Sequence, residues 1–248
     1  MENNVAQKIT AFATILALPF ALGAFILTWA PAQQFHLSDP RGDGYVQPRS
    51  IEKLVTRVKE STVTVFCKHT DPKKNTLGSA WAIDLENDQG DKYPTTLITN
   101  HHVIDDCLNG MGTLTVAALY GKEFSAIIDN YDEENDLAAI ATSLKVDPLK
   151  LSEYEPWPGY WVAAVGSADG YEGSVAFGNV LNGTSLEILL TAPLSHGNSG
   201  GPLVDNEGNV VGTNTFGRIG EQYNGAMSLN ALCVKIMKCE NELFWQVE

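Results

Sequence analysis

Ser199 lies among three glycines, Gly197, Gly200 and Gly201, in the stretch "TAPLSHGNSGGPLVDNEGNVVG" (191–212). Glycine weakens any regular element it occupies, so this crowding asks for a tight turn or for backbone that approaches something outside the protein. Two other stretches supply complementary groups. "LITNHHVID" (97–105) puts a histidine pair at the exit of a β run, and "DEENDLAAIAT" (132–142) opens another run with Asp136. A serine hydroxyl is a weak nucleophile and needs a neighbouring base. An imidazole serves when a carboxylate holds its tautomer and stabilises the imidazolium that forms. His102, Asp136 and Ser199 are therefore the candidate catalytic set, in one of the chain orders known for such triads. The Gly-x-Ser turn would let the N–H groups of Gly197 and Ser199 converge beside the hydroxyl, where an oxyanion could be held.

These groups need elements to position them. After residue 60 the chain is a succession of short β-rich runs: "TVTVFC", "GSAWAID", "TTLITN", "GTLTVAALY", "EFSAIID" and "DLAAIAT". A proline-bearing connector spans 144–159. A second set follows: "YWVAAVG", "GSVAFGNVLNG", "SLEILLTA", "GPLVD", "NVVGTNT" and "YNGAMSL". Two clusters of about six strands predict an all-β body of two small barrels, about 60–145 and about 158–230. Ahead of them Ser50 is placed to cap "IEKLVTRVKE", whose Ile51, Leu54, Val55 and Val58 share one helical face. "NALCVKIMKCENELFW" has helical spacing in its first half, and 241–248 reads as a tail.

The 248 residues carry a formal net charge of −14, which repels phosphate backbones and argues against nucleic-acid binding. The N-terminus is different. After a short start (1–8), residues 9–30 form an uncharged apolar run of the ~20 residues that a spanning helix needs. Lys8 precedes it and Arg41 is the next basic side chain, so residues 1–8 are expected to stay cytoplasmic and the rest to be exported. Ala30-Pro31-Ala32 also fits a signal-peptidase site, so the run is either a retained single-pass membrane anchor or a cleaved signal that yields a secreted chain. Residues 31–49 read as a linker. Export makes Cys67, Cys107, Cys233 and Cys239 candidates for disulfides, with three pairings open. Cys233 and Cys239 lie six apart and can pair only if a helix ends between them.

"TNHHV", "NDLAAI", "GYWVAAVG", "GSVAFGNV" and "GNSGGPLVDNEGNVVGTNT" together resemble the trypsin-like serine proteases of the HtrA/Deg type, over roughly residues 50–238. The resemblance implies a chymotrypsin-like double β-barrel with the active site between the barrels. It implies His102 as base, Asp136 as its orienter, Ser199 as nucleophile and Gly197 as an oxyanion donor. In the pattern Thr-Asn-any-His-Val, His101 occupies the variable position and is expected to face solvent. Zinc ligation by "HHVIDD" is disfavoured, because adjacent histidines point apart, and no metal or organic cofactor is implied. Related double-barrel enzymes staple this region with a disulfide, which suggests Cys67–Cys107.

Further expectations concern the substrate. His196 either lines a specificity pocket, where it would favour a polar side chain, or is a loop histidine bonded to backbone. Phe216 and Arg218 would shape the pocket wall, and a site flanked by Leu194 and Phe216 suggests small or medium apolar residues before the scissile bond. Thr213, Asn214 and Thr215 resemble an edge strand that pairs with an extended peptide. Asn198 replaces the aspartate through which digestive relatives are activated, and no "IVGG"-like start exists, so activation by a new N-terminus is not expected. Many HtrA proteins carry a C-terminal PDZ domain; none is recognisable here, so regulation through one is expected to be absent or supplied by another protein. Family members trimerise through N-terminal segments, where Phe35 and Tyr45 could serve. The expected activity is endopeptidase action on exposed or unfolded extracytoplasmic proteins, quality control being the implied role. The competing reading is a catalytically silent protease-fold scaffold or holdase at the membrane.

Overall fold

The computed structural model describes residues 43–217, 223–240 and 243–245. All fall in one unit, Pro40–Glu248; the apolar run at 9–30, the segment 31–42 with Phe35, and Arg218 lie outside the described residues. Among the described residues no helix is long and apolar enough to cross a membrane.

Helix α1 (Ile51–Glu60) buries Leu54 and Val58, while Val55 is half-buried and Ile51 exposed. Ser50 sits at its N-cap without a side-chain cap bond, against the expectation that it would supply one. The helix is held by packing instead. Arg57 also reaches the Glu207 carbonyl on the far side of the chain.

Strands β1 (Thr62–His69), β2 (Thr76–Ile83), β3 (Thr95–Thr99), β4 (Gly112–Ala118), β5 (Glu123–Asp132) and β6 (Leu137–Thr142) close a barrel in the order β1-β2-β3-β6-β5-β4. A second set closes another in the order β10-β11-β12-β9-β8-β7. It comprises β7 (Trp161–Ala168), β8 (Tyr171–Gly183), β9 (Glu187–Leu190), β10 (Pro202–Val204), β11 (Val210–Gly217) and β12 (Asn224–Ser228). The architecture is all-β with few helices.

The near-continuous apolar runs of β2, β3 and β6 have a simple cause. Successive strand residues face opposite ways, and here both ways are buried. Ala80, Ala82, Leu97, Ala138 and Ile140 fill the first barrel. Their alternates Trp81, Ile83, Ile98, Leu137 and Ala139 join the core that continues into the second barrel. Two apolar faces weld the barrels, at about 25 cal/mol for each Å² of apolar surface removed from water. The connector is tied down as well, through Leu149 N–H to the Ala82 carbonyl at 2.9 Å and Ser152 N–H to the Val210 carbonyl at 2.8 Å.

After β12 comes helix α3 (Leu229–Leu232), continued by a wider turn over Cys233–Met237 and stopped at Lys238, whose φ is +53°. That stop lets Cys233 and Cys239 approach to a Cα separation of 5.0 Å and form a disulfide. The condition read from the spacing is met. Asn230 Oδ1 then accepts the N–H groups of Phe244 and Trp245, and Trp245 is buried with its indole N–H on the Ser152 carbonyl at 3.1 Å.

Candidate active site

β3 ends at Thr99 and delivers His102 on a short helix, α2 (His101–Ile104). Its ring Nδ1 lies 2.7 Å from Asp136 Oδ2, and its backbone N–H donates to Asp136 Oδ1 at 2.9 Å. With Asp136 ionised, Nδ1 carries the proton and Nε2 is left as an acceptor. Asp136 enters β6 from a tight turn with φ +50°. The turn is shaped by the buried Asp132, which accepts from Glu134 N–H, Asn135 N–H and the Asn135 amide, and pairs with Lys235 Nζ at 2.8 Å. Burial alone would raise the Asp132 carboxyl; the bonds from Lys235 and Asn135 outweigh it and hold the group below the usual carboxylate range. Asn100 locks the approach, donating to the Asp136 carbonyl at 2.7 Å and to Thr215 Oγ1 at 3.0 Å.

Ser199 lines the same cleft as His102, with Gly197, His196, Leu77 and Asp169. Its hydroxyl donates to the Thr215 carbonyl at 3.2 Å, and no hydrogen bond joins it to His102. Catalytic contacts are often loose before substrate arrives. Gly197 has φ +92°, and a Cβ there would stand 2.2 Å from the Ser167 carbonyl. At Gly200 (φ +84°) a Cβ would stand 2.1 Å from the Ser79 carbonyl. The glycines are thus required by close backbone approach as well as by the turn. Among the described residues, neither Gly197 N–H nor Ser199 N–H has a protein acceptor. The peptide before Gly197 is fixed, because the His196 carbonyl accepts Asp169 N–H at 2.6 Å.

Other expected site residues fare differently. His101 does not face solvent: it is 8 % exposed and stacks on Tyr131 at 5.1 Å between centroids. Neighbours on a helix diverge by about 100°, so turning His102 to Asp136 sends His101 into the body. Thr213 and Asn214 are not edge residues. Both are buried, Thr213 pairs with Pro202 and Met227, and the Asn214 amide is spent on the Val165 and Pro202 carbonyls. β11 outruns β10 only beyond Thr213, so Thr215 is the first of the three that borders the cleft side. Leu194 packs half-buried against the second barrel's core, whereas His196 is exposed in the cleft wall. The Phe216 side chain lies outside what is described. Cys67 and Cys107 form a disulfide with Cα atoms 5.7 Å apart, five residues after His102. No metal-binding cluster occurs among the described residues.

Sequence reasoning missed Ser79. It lies on β2, fully buried, and all its polar atoms bond: Oγ donates to the Gly197 carbonyl at 2.7 Å and accepts Ser167 N–H at 2.9 Å. Its N–H donates to the Ser199 carbonyl at 2.8 Å, and its carbonyl accepts Thr99 Oγ1 at 2.7 Å. The only available signal was a serine inside an apolar run.

Fold and cleft together are those of a chymotrypsin-like protein with two six-stranded barrels. The family model "Trypsin-like peptidase domain" matches residues 78–212, and the chain belongs to that family. It is 31% identical over 203 residues to serine protease HTRA3 of Rattus norvegicus, covering 75% of this chain and 43% of that protein. Putative protease Do-like 14 of Arabidopsis thaliana is 28% identical over 200 residues, covering 71% of this chain and 44% of the relative. Anti-sigma-I factor RsgI9 of Acetivibrio thermocellus is 28% identical over 192 residues, covering 73% of this chain and 25% of that protein. Among solved structures, a serine endoprotease from Yersinia pestis superposes with TM-score 0.62 at 25% identity, covering 73% of this chain and 63% of that one. The chain thus spans less than half the length of these curated relatives. HtrA/Deg-type proteases are among its relatives, as the motifs suggested.

Proposed function

We propose that the chain is a serine endopeptidase that cleaves exposed or unfolded segments of extracytoplasmic proteins. The observation that carries this is the doubly bonded His102–Asp136 pair, whose imidazole shares a cleft with Ser199 and with two amide donors that have no acceptor among the described residues. Ser199 Oγ attacks the peptide carbonyl while His102 Nε2 takes its proton. Gly197 and Ser199 N–H groups receive the oxyanion, His102⁺ protonates the leaving amine, and water releases the acyl group by the same route. The extended substrate lies along β11 from Thr215 onward, where β10 no longer covers the strand.

Two disulfides support an oxidising compartment outside the cytoplasm, with residues 9–30 as anchor or signal. A homotrimer would form through the N-terminal segment, where the exposed Tyr45 packs edge-on against Tyr160. One observation favours the silent-scaffold alternative: Ser199 Oγ is engaged by Thr215 rather than by His102. Incubating the full chain with unfolded casein separates the readings. The protease reading expects fragments that Ser199→Ala does not produce; intact casein with the wild type at every concentration favours the scaffold.

A further inference from the structure

The serine loop belongs to the second barrel, yet its shape is held from the first. Ser79 Oγ spends its single proton on the Gly197 carbonyl, and the same hydroxyl receives Ser167 N–H. Within the Gly197–Asn198 peptide the N–H points opposite to that carbonyl and donates to Ser195 O at 3.1 Å. Glycine can populate backbone basins closed to other residues, so nothing in Gly197 itself selects the conformation that leaves its N–H and that of Ser199 unpaired. A rotated 197–198 plane would break the strong bond from the Ser79 hydroxyl to the Gly197 carbonyl, the longer one to it from Ser167 N–H at 3.3 Å, and that from Asn198 N–H to the Ser195 carbonyl, and buried groups are costly to leave without a partner. The backbone bond from Ser79 N–H to the Ser199 carbonyl fixes the other end of the loop.

We propose that Ser79 is a positioning residue for the reaction: through the Gly197 carbonyl it holds the peptide between the two that carry the amide donors, and so keeps Gly197 N–H and Ser199 N–H converging on the substrate's acyl oxygen. This rests on the serine-protease reading above. Because Ser79 touches neither His102 nor Asp136, it acts on the oxyanion and leaves proton transfer alone. Thr64 provides a control, since its hydroxyl bonds Ser167 Oγ at 2.8 Å in the same buried interface without touching the loop's carbonyls.

The test uses the full chain and a fluorophosphonate probe. Ser199 Oγ bonds to phosphorus, fluoride leaves, the serine proton passes to His102, and the phosphoryl oxygen takes the place of the oxyanion. Ser79→Ala is expected to lower the limiting labelling rate by about 10- to 100-fold, a fraction of what removing a donor outright costs. The half-saturating probe concentration should stay within about twofold, and the pH midpoint of labelling should not move. Thr64→Val should lower Tm comparably and label like wild type. Should Ser79→Ala not fold, Ser79→Thr, which keeps the hydroxyl, must label at least about tenfold faster than Ser79→Cys, whose thiol is a weak donor. Equal rates for Ser79→Ala and wild type, for Ser79→Cys and Ser79→Thr, or an equal loss in Thr64→Val, overturn the role of Ser79 while leaving the protease reading intact. A wild type that neither labels nor cleaves casein overturns both.

Discussion

His102 occupies both oxygens of Asp136: the ring Nδ1 stands 2.7 Å from Oδ2 and the backbone N–H 2.9 Å from Oδ1. One bond alone would let the carboxylate rotate. Two bonds to the same residue set the imidazole's plane and leave Nε2 outside the pair with Asp136, on a ring that lines the cleft with Ser199.

Asp136→Asn keeps the shape but offers an amide donor where Nδ1–H needs an acceptor. The wrong tautomer then faces Ser199, and kcat is expected to fall by about 10⁴ with KM little changed. Steady-state kinetics on a peptide substrate check this; a loss below tenfold would contradict it.

Gly197→Ala adds a methyl 2.2 Å from the Ser167 carbonyl at a residue with φ +92°. The loop must move and take one amide donor with it. A fall in kcat on the order of 10²–10³ is expected, as for loss of an oxyanion donor, with folding preserved by circular dichroism.

The pH dependence of stability should report Asp132. Burial opposes its charge, but bonds from Lys235 and Asn135 leave its carboxyl below the ordinary range. A depressed carboxylate contributes stability that is complete above its unfolded value, about 3.9, and lost as pH falls through the lower folded value. Lys235, raised chiefly by its bond to Asp132, contributes in the opposite sense: its share is complete below the ordinary lysine value and lost as pH rises through the folded one. Lys235→Met should therefore lower Tm by several degrees at neutral pH, with the deficit shrinking as acid protonates Asp132. Urea titrations across pH would refute this by showing a deficit independent of pH. Activity should drop as well, because Asp132 shapes the turn that carries Asp136.

The two disulfides should differ in weight. Cys67–Cys107 closes 40 residues and Cys233–Cys239 only six. Loop entropy gives about 4 kcal/mol for the former and about 2 kcal/mol for the latter. Replacing both Cys67 and Cys107 by serine should lower stability more than the Cys233/Cys239 pair does. It should also lower kcat, since Cys107 follows the short helix that carries His102. Chemical denaturation together with casein cleavage reads both effects.

The barrels were legible because their strands announce themselves by period and by turn residues, and the candidate site because serine, histidine and carboxylate occur in telling contexts. Orientation was less legible. His101 and His102 have the same chemistry, and only the packing of α2 against Tyr131 decides which is buried. Thr213 and Asn214 read as an edge because a run of residues does not reveal that β10 covers its first half. Ser79 was invisible in its role: its acceptor lies 118 residues away in the other barrel. The Cys233–Cys239 bond was legible only conditionally, since it depends on a helix stop at Lys238 that carries no glycine or proline signal.

The most direct test is the intact mass of the full chain after exposure to a fluorophosphonate. The account predicts one adduct, carried on the peptide that contains Ser199, absent in Ser199→Ala and strongly slowed in His102→Ala. An unmodified wild type, or an adduct that survives in Ser199→Ala, contradicts it.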